Sequence, residues 1–510
     1  MRIISDELFD NDIPIDTDVA LIDDNGQLTF AELRDRVTSL AATLQDKGVT
    51  KGDRVAVICP NRNEYVIAYY AITLIGAIYV PLNWRLLAAE HVTLMNNAEP
   101  TVLLADSSFI ESIELAATDV PSLEGRIAVI GGTVGEYDTF DSWSHTGAQP
   151  TSVDVTPEDP ATIVYTSGTT AAPKGVLLTH DNIVFDRRSV AKYSAPRRGD
   201  VSLHVSPLYH QTSVHTFVHL AAGATVRLIS KFDPLTFFEA VAELHATYTF
   251  LAPTMLYKLL DDPRIGQYDL STLRRIGYGA APITGARLKE ALEVFGPILV
   301  HAYGLSEATS HVSYLSAEDH LVAEGSIGRG VEDIDVKVID IATGEPVEPG
   351  SNQVGEILVR GRTTMKGYWN ETELTSETIV DDWLYSGDMA TVDSRGYLYV
   401  VDRKKDLVIS GGVNIYPRDI ENVLAKHPKV AEVAVIGIPD DYWGEALMAV
   451  LVHRPGTTLT AAEIEEYCRS HLGGYQVPKH IRFQEDLPRN LSGKILKREL
   501  RDSVVDSTSR

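Results

Sequence analysis

Along residues 29–48, TFAELRDRVTSLAATLQDKG, apolar side chains recur at helical spacing and Gly48 closes the run, which predicts an amphipathic helix with a glycine C-cap. The stretches DRVAVICP (53–60) and TVLLAD (101–106) are short, valine-rich apolar runs, the pattern of buried strands. Patterns of the two kinds alternate up to about residue 325. They predict an α/β fold class with largely parallel sheets. Between Gly325 and Arg362 the pattern turns β-rich, with VEDIDVKVID and GEILVRG around a Gly/Pro turn, and predicts a meander or small barrel-like part. Beyond the charged run DRKKD (402–406), strand and helix patterns make a compact α+β set of about 100 residues, a normal domain size. The expected organisation is a large domain over 1–402 and a small, mobile C-terminal domain over 403–510.

The most apolar stretch, VIAYYAITLIGAIYVPL (66–82), is shorter than the roughly 20 residues a membrane span needs, and Gly76 and Pro81 interrupt it. It predicts a buried helix leading into a buried strand. The N-terminus MRIISDELFDNDIPID is acidic and lacks an apolar signal core. Cys59 and Cys468 lie far apart and form no paired motif, which argues against a disulfide framework or a thiolate metal site and fits a reducing cytoplasm. Hydrophobic content of 44% and charged content of 23% are ordinary for a globular chain. A formal charge of −26 argues against a nucleic-acid binder, which would carry a basic stripe, so an anionic ligand would need locally placed cations.

One stretch asks for such a ligand. YTSGTTAAPKG (165–175) puts hydroxyls, glycines and one lysine on a short turn, donors suited to a polyphosphate. It is not the P-loop of familiar NTPases, because Lys174 precedes Gly175 instead of following it. HAYGLSEATS (301–310) places Glu307 after a strand-like segment, where a lone carboxylate could hold Mg²⁺ or simply be solvated. LYSGDMA (384–390) places Asp388 where it could accept ribose hydroxyls or serve a turn. LPRNLSGKILKREL (487–500) carries Lys494 before a basic helix that by itself reads as a solvated terminus. PLYHQTSVHTFVH (207–219) sets His215 and His219 one helical turn apart, without the further ligand a metal site requires.

In this order, and together with GYGAAP (277–282) and DRKKDLVISGGVNIYPRDIE (402–421), these stretches resemble the motif set of the adenylate-forming superfamily. That superfamily comprises acyl- and aryl-CoA synthetases, luciferase and peptide-synthetase adenylation domains, and the resemblance runs from Leu28 to Leu500. The chain departs from the pattern at Ala171, where the phosphate loop usually has its second glycine, and at Ser306, where a threonine is usual.

The resemblance implies an ATP-dependent acid–thiol ligase that forms an acyl-adenylate and pyrophosphate, then a thioester. It assigns Thr166 and Glu307 to Mg²⁺, and Ser167, Gly168, Thr169, Thr170 and Lys174 to the triphosphate. Gly279, Ala280, Ala281, Tyr303, Gly304 and Ser306 are assigned to the adenine side, and Asp388 with Arg403 to the ribose. Lys494 becomes the adenylation lysine, Lys405 the pivot of the small domain, and His210 the aromatic gate to the thiol tunnel. Gly411, Gly412 and Trp443 fall to the thiol arm.

Gln211, Thr212, Thr216 and Tyr278 are the expected acyl-pocket residues. Uncharged Gln211 stands where amino-acid-activating members place an aspartate, so an ammonium-bearing substrate is disfavoured. The polar TSVHTF (212–217) favours a small or medium acid, aromatic or short aliphatic, over a long fatty acid. CoA is the expected acceptor, a carrier protein's phosphopantetheine the alternative, and a catalytically inactive nucleotide-binding regulator the alternative of another class. The expected state is a cytoplasmic monomer or homodimer with no nucleic-acid partner and no membrane span.

Overall fold

The helix predicted from residue 29 forms as Phe30–Asp46, and its first turn shows why it starts there. The Thr29 N–H donates to Glu32 Oε2 at 2.8 Å while Glu32 N–H donates to Thr29 Oγ1 at 3.2 Å, a reciprocal capping box. Thr179 with Asn182 and Thr460 with Glu463 start the helices His180–Ser194 and Ala461–His471 in the same way. In a computed structural model of the chain, residues 2–9, 16–166, 173–281, 283–411, 413–440, 442–489 and 495–508 are described. They part into two compact units, Met1–Val336 with Val359–Leu384 and Lys337–Leu358 with Tyr385–Arg510.

The larger unit is built on two sheets. Among the described residues, one has eight strands, with Pro160–Thr166, Ile78–Pro81, Arg54–Ile58, Val102–Asp106 and Ile127–Ile130 adjacent and parallel. Its antiparallel edge is Lys174–Thr179 followed by Gly367–Tyr368. The other has nine, with Leu299–Tyr303, Arg275–Gly279, Tyr248–Leu251, Val201–His204 and Thr225–Leu228 parallel through its middle. Both faces of such strands are covered, which is why they read as continuous apolar runs. The stretch 66–82 resolves as expected into the helix Asn63–Leu74 and the strand Ile78–Pro81, each deeply buried, with Gly76 at φ +71° between them.

The second unit takes in 337–358 and 385–402 as well as the C-terminal stretch, so the division expected at 402/403 lies inside it. The physical reason is a run of antiparallel pairing: Trp383–Val392 pairs with Leu398–Arg403 over several residues. Beyond this, Val430–Asp440, Gly444–His453, Val408–Ser410, Val413–Ile415 and His480–Gln484 form a further sheet. Ile420 and Leu424 of the helix Pro417–Leu424 pack with Val435, Leu447, Leu451 and Ile464 into one core. The α/β fold class read from the alternating patterns is the one observed. No helix among the described residues is long and apolar enough to cross a membrane.

Candidate active site

Parallel strands end in loops at their carboxyl edge, where α/β sheets take ligands. Arg275–Gly279 and Leu299–Tyr303 lie side by side, Gly279 opposite Ala302, and run directly into Ala280–Ala281 and Gly304–Glu307. Close approach dictates the glycines: a Cβ at Gly279 would fall on the Ala302 carbonyl oxygen, and one at Gly304 on that of Ser310. Ala280 at φ +65° and Thr309 at φ +64° hold left-handed backbone that is uncommon for alanine and costly for a β-branched residue. The strain sits on the two loops that the motifs mark. Thr309 is held there by its hydroxyl, which donates to the Thr363 carbonyl at 2.6 Å.

The short turn Ser306–Ala308 presents Glu307, half-buried, to Tyr368, whose hydroxyl donates to Glu307 Oε1 at 2.8 Å. Burial first, and the Glu307 charge second, push the Tyr368 phenol well up, so it remains a donor at any physiological pH. The Lys174 ammonium lies 5.8 Å from the centre of the Tyr368 ring. Thr166 and Lys174 are cross-strand partners at the base of the hairpin that carries the phosphate motif. A hydroxyl, a cation, a phenol and a carboxylate are therefore set around one edge of the larger unit. Ser167, Gly168, Thr169 and Thr170 of that motif, and Ala171 with them, lie outside the described residues, as do Gly412 and Lys494.

Tyr368 carries no signal in the sequence. It stands 61 residues past Glu307, and the pairing of Gly367–Tyr368 with Val176 and Leu177 brings it to the site.

A cavity of about 480 Å³, counting its open mouth, opens beside this edge, lined among others by Tyr65, Tyr69, Arg187, His210, Gln211 and Thr309. Burial, with the Arg85 guanidinium adding to it, pushes His210 down to about 4, so its imidazole is neutral at pH 7. Gln211 Nε2 and Thr212 Oγ1 are buried without a hydrogen-bond partner among the described residues. The Thr216 hydroxyl, on the helix Val214–Ala221, is in the same condition.

Tyr278, like Thr212 and Thr216, lines neither this cavity nor the second one described below. Side chains alternate along a strand, so Gly277 and Gly279 face Phe250 while Tyr278 points the other way. There it joins a core with Phe237 and Leu256, and its hydroxyl meets His320 Nε2 at 2.9 Å.

A second, narrow cleft, about 220 Å³ counting its open mouth, lies on the Gly277 face and is walled by Tyr193, His215, Tyr248, Phe250, Val300 and Tyr314. His215 and His219 do not converge: His215 Nδ1 pairs with the Tyr248 hydroxyl at 2.8 Å, His219 Nδ1 with the His215 carbonyl at 2.7 Å.

In the second unit, Asp388 and Arg403 are cross-strand partners joined at 2.7 Å from Nε to Oδ1, with Asp388 almost fully buried. Glu356, also buried, supports them: Oε1 accepts the Gly387 N–H at 3.0 Å and Oε2 pairs with Lys404 at 2.8 Å. The sequence reading missed Glu356, since nothing in GEILVRG ties it to a strand residue 31 positions away. Lys405 is exposed on the short turn Lys404–Asp406. Gly411 at φ +59° donates its N–H to the Trp443 carbonyl at 2.8 Å, beneath the indole, and Lys479 caps that ring at 3.7 Å.

This fold and this set of groups are those of a known class. Residues 16–369 match the AMP-binding enzyme family and residues 419–494 the AMP-binding enzyme C-terminal domain, so the chain belongs to the adenylate-forming, AMP-binding enzymes. It is similar to the feruloyl-CoA synthase of an Amycolatopsis species, 38% identical over 476 residues and 93% of each chain. The indoleacetate–CoA ligase of Aromatoleum aromaticum is 35% identical over 493 residues and 94% of each chain. Among solved structures, ATP-bound MatB from Rhodopseudomonas palustris aligns with a TM-score of 0.89 at 30% identity, covering 98% of each chain. Within its family, the chain is an AMP-forming acid–thiol ligase of the acyl-CoA synthetase type.

Proposed function

We propose that the chain joins an aromatic carboxylic acid to CoA at the expense of ATP. In the first step a carboxylate oxygen of the acid attacks the α-phosphorus, and the bond to pyrophosphate breaks. In the second the thiol sulfur attacks the acyl carbon, and AMP leaves. Both steps gather negative charge on already anionic groups, so the protein's task is positioning and neutralisation.

The observation that carries this reading is the cluster at the sheet edge, Glu307 oriented by Tyr368 beside Lys174, next to a cavity bordered by uncharged His210 and Gln211. Lys174 supplies the fixed cation for the leaving pyrophosphate. Thr166 and Glu307 would hold Mg²⁺, since a hydroxyl and a carboxylate oxygen are donors that a small hard cation accepts. Bound there, the ion would offset phosphate charge. His210, neutral at working pH, can border the acyl group or yield to a thiol without desolvating a charge.

The family resemblance assigns Asp388 and Arg403 to the ribose, Lys494 to adenylation and Lys405 to the pivot of a domain running from about residue 403. Aromatic acids are favoured by the relatives, named for feruloyl and indoleacetate substrates. The test is pyrophosphate release and thioester formation across a panel of carboxylic acids. Acid-dependent release followed by transfer to free CoA is expected. Transfer only to a carrier protein's pantetheine would replace CoA as acceptor, and no acid-dependent release would end the enzyme reading.

A further inference from the structure

Residues 2–9 are tied down far from their neighbours in sequence. Ile4 and Leu8 are buried, and the Ile4 N–H donates to His180 Nδ1 at 3.3 Å. Glu7, on the short helix Asp6–Phe9, pairs with Arg187, and both partners are buried. Desolvation offsets most of what such a pair gains, so stability alone does not account for it.

Arg187 points to its use. Its side chain lines the cavity beside His210, together with Tyr69 and Phe217. The guanidinium lies 4.4 Å from the centre of the Phe217 ring and 5.2 Å from that of Tyr69. Nη2 donates to the Tyr69 hydroxyl at 2.7 Å and Nη1 to the Glu7 carboxylate, while Nε is buried with no hydrogen-bond partner among the described residues. Among the described residues that line the cavity, Arg187 is the one fixed cation and Asp186 the one acid. Asp186 is committed elsewhere: it accepts from Ser310 Oγ at 2.8 Å and from the His311 N–H at 3.2 Å. The charge of the guanidinium is therefore matched by Glu7, which does not itself line the cavity. Burial raises the Glu7 carboxyl above its ordinary value, with the Arg187 charge opposing the rise, so the carboxylate owes its charge to this contact.

Resting on the ligase reading above, in which this cavity borders the acyl group, we propose that Glu7 is a positioning residue of the site. It cancels the charge of Arg187 and holds the guanidinium on Tyr69, so the cavity accepts an uncharged tail and turns away an anionic one. Segment 2–9 then sets selectivity although none of its residues lines the cavity. A guanidinium stays protonated at any working pH. Without the Glu7 charge it would stand at the wall as an unmatched cation, where little solvent screens it.

Glu7→Gln keeps an acceptor for Nη1 and removes only the charge, while the double variant Glu7→Gln/Arg187→Met removes cation and anion together. Calorimetry on the whole chain and on both variants gives the affinity for a non-hydrolysable ATP analogue, then for cinnamate and para-carboxycinnamate in its presence. The parent should prefer cinnamate. Glu7→Gln should shift the ratio of the two acids roughly tenfold or more towards the dicarboxylate, with the affinity for the nucleotide analogue kept. A packing defect would weaken binding without reversing selectivity. The double variant should return to the parent's preference, which also shows that the fold survives loss of the pair. An unchanged ratio in Glu7→Gln, nucleotide affinity falling in step with acid affinity, a double variant that keeps the Glu7→Gln ratio, or no acid bound by the parent would each overturn the proposal. Pyrophosphate release measured alongside separates the two readings: a shift in selectivity without acid-dependent release sinks the ligase, and release without a shift sinks the role of Glu7.

Discussion

The Tyr368 hydroxyl donates to Glu307 Oε1 at 2.8 Å, across 61 residues of sequence, and fixes a carboxylate that the local turn alone would leave free to rotate. A hydrogen bond to a charged group contributes about 1.5–3 kcal/mol. Tyr368→Phe should therefore lower kcat/KM roughly 10- to 100-fold while leaving the fold intact. Glu307→Ala should cost more, on the order of 10³-fold, because it removes the carboxylate itself. Steady-state kinetics at varied Mg²⁺ decide it. Parent-like turnover of Glu307→Ala at saturating Mg²⁺ would sink the metal role.

Glu356 holds the Gly387 N–H and the Lys404 ammonium at once while almost fully buried, one residue from Asp388. Its removal takes the acceptor from the Gly387 N–H and leaves the half-exposed Lys404 to water, a loss of about 1–2 kcal/mol. Glu356→Ala should lower the melting temperature and raise the KM for ATP more than it lowers kcat. Glu356→Gln, which can keep the contact to Gly387, should recover part of each. A variant with parent-like stability and ATP dependence would remove Glu356 from the account.

How far the sequence reached can be seen at these residues. The helix at Phe30–Asp46 is a local event, as are the buried runs and the glycine-bearing strand ends, and local spacing reported them. Glu307, Asp388 and Lys174 stood out because each belongs to a short glycine-bearing motif of its own, Glu307 on a turn and the other two on strands. Tyr368 and Glu356 reach their partners through strand pairing, which leaves no local trace. Tyr278 is a different case. In a parallel sheet covered on both faces, alternation separates Gly277 from Tyr278 but does not say which face meets the ligand. The second cavity was hidden for the same reason, since it draws on residues from 193 to 314.

Buried histidines make the fold sensitive to acid. His180, His204 and His219 are each pushed down to about 4, with burial the first cause. In the unfolded chain they titrate near 6.5. Between those values the unfolded state binds more protons, so stability rises with pH across the window and is lost as pH falls from 6.5 towards 4. Each group contributes at most on the order of 3 kcal/mol. Urea unfolding at pH 7.5 and at pH 5 should show the lower midpoint at pH 5. An equal or higher midpoint there contradicts the assignment.

Gly411 has no room for a side chain: a Cβ would lie 2.6 Å from the Trp443 indole, at φ +59°. Gly411→Ala should push Trp443 outward and slow thioester formation at least tenfold while acid-dependent pyrophosphate release is kept. If release falls in step with thioester, the loop does not serve the thiol step.

The proposed ligase divides its labour between two half-reactions, and Lys494 and Lys405 separate them most sharply. On the proposed reading, Lys494→Ala removes an ammonium that neutralises charge only while pyrophosphate leaves. Lys405→Pro fixes φ at the proposed pivot. The measurement is both half-reactions in both variants: pyrophosphate release from acid and ATP, and thioester formation from supplied acyl-adenylate and CoA. Lys494→Ala should lose the first by orders of magnitude and keep the second near the parent rate. Lys405→Pro should form adenylate and fail to pass it on. Equal loss of both steps in Lys494→Ala would contradict the two-step division of labour.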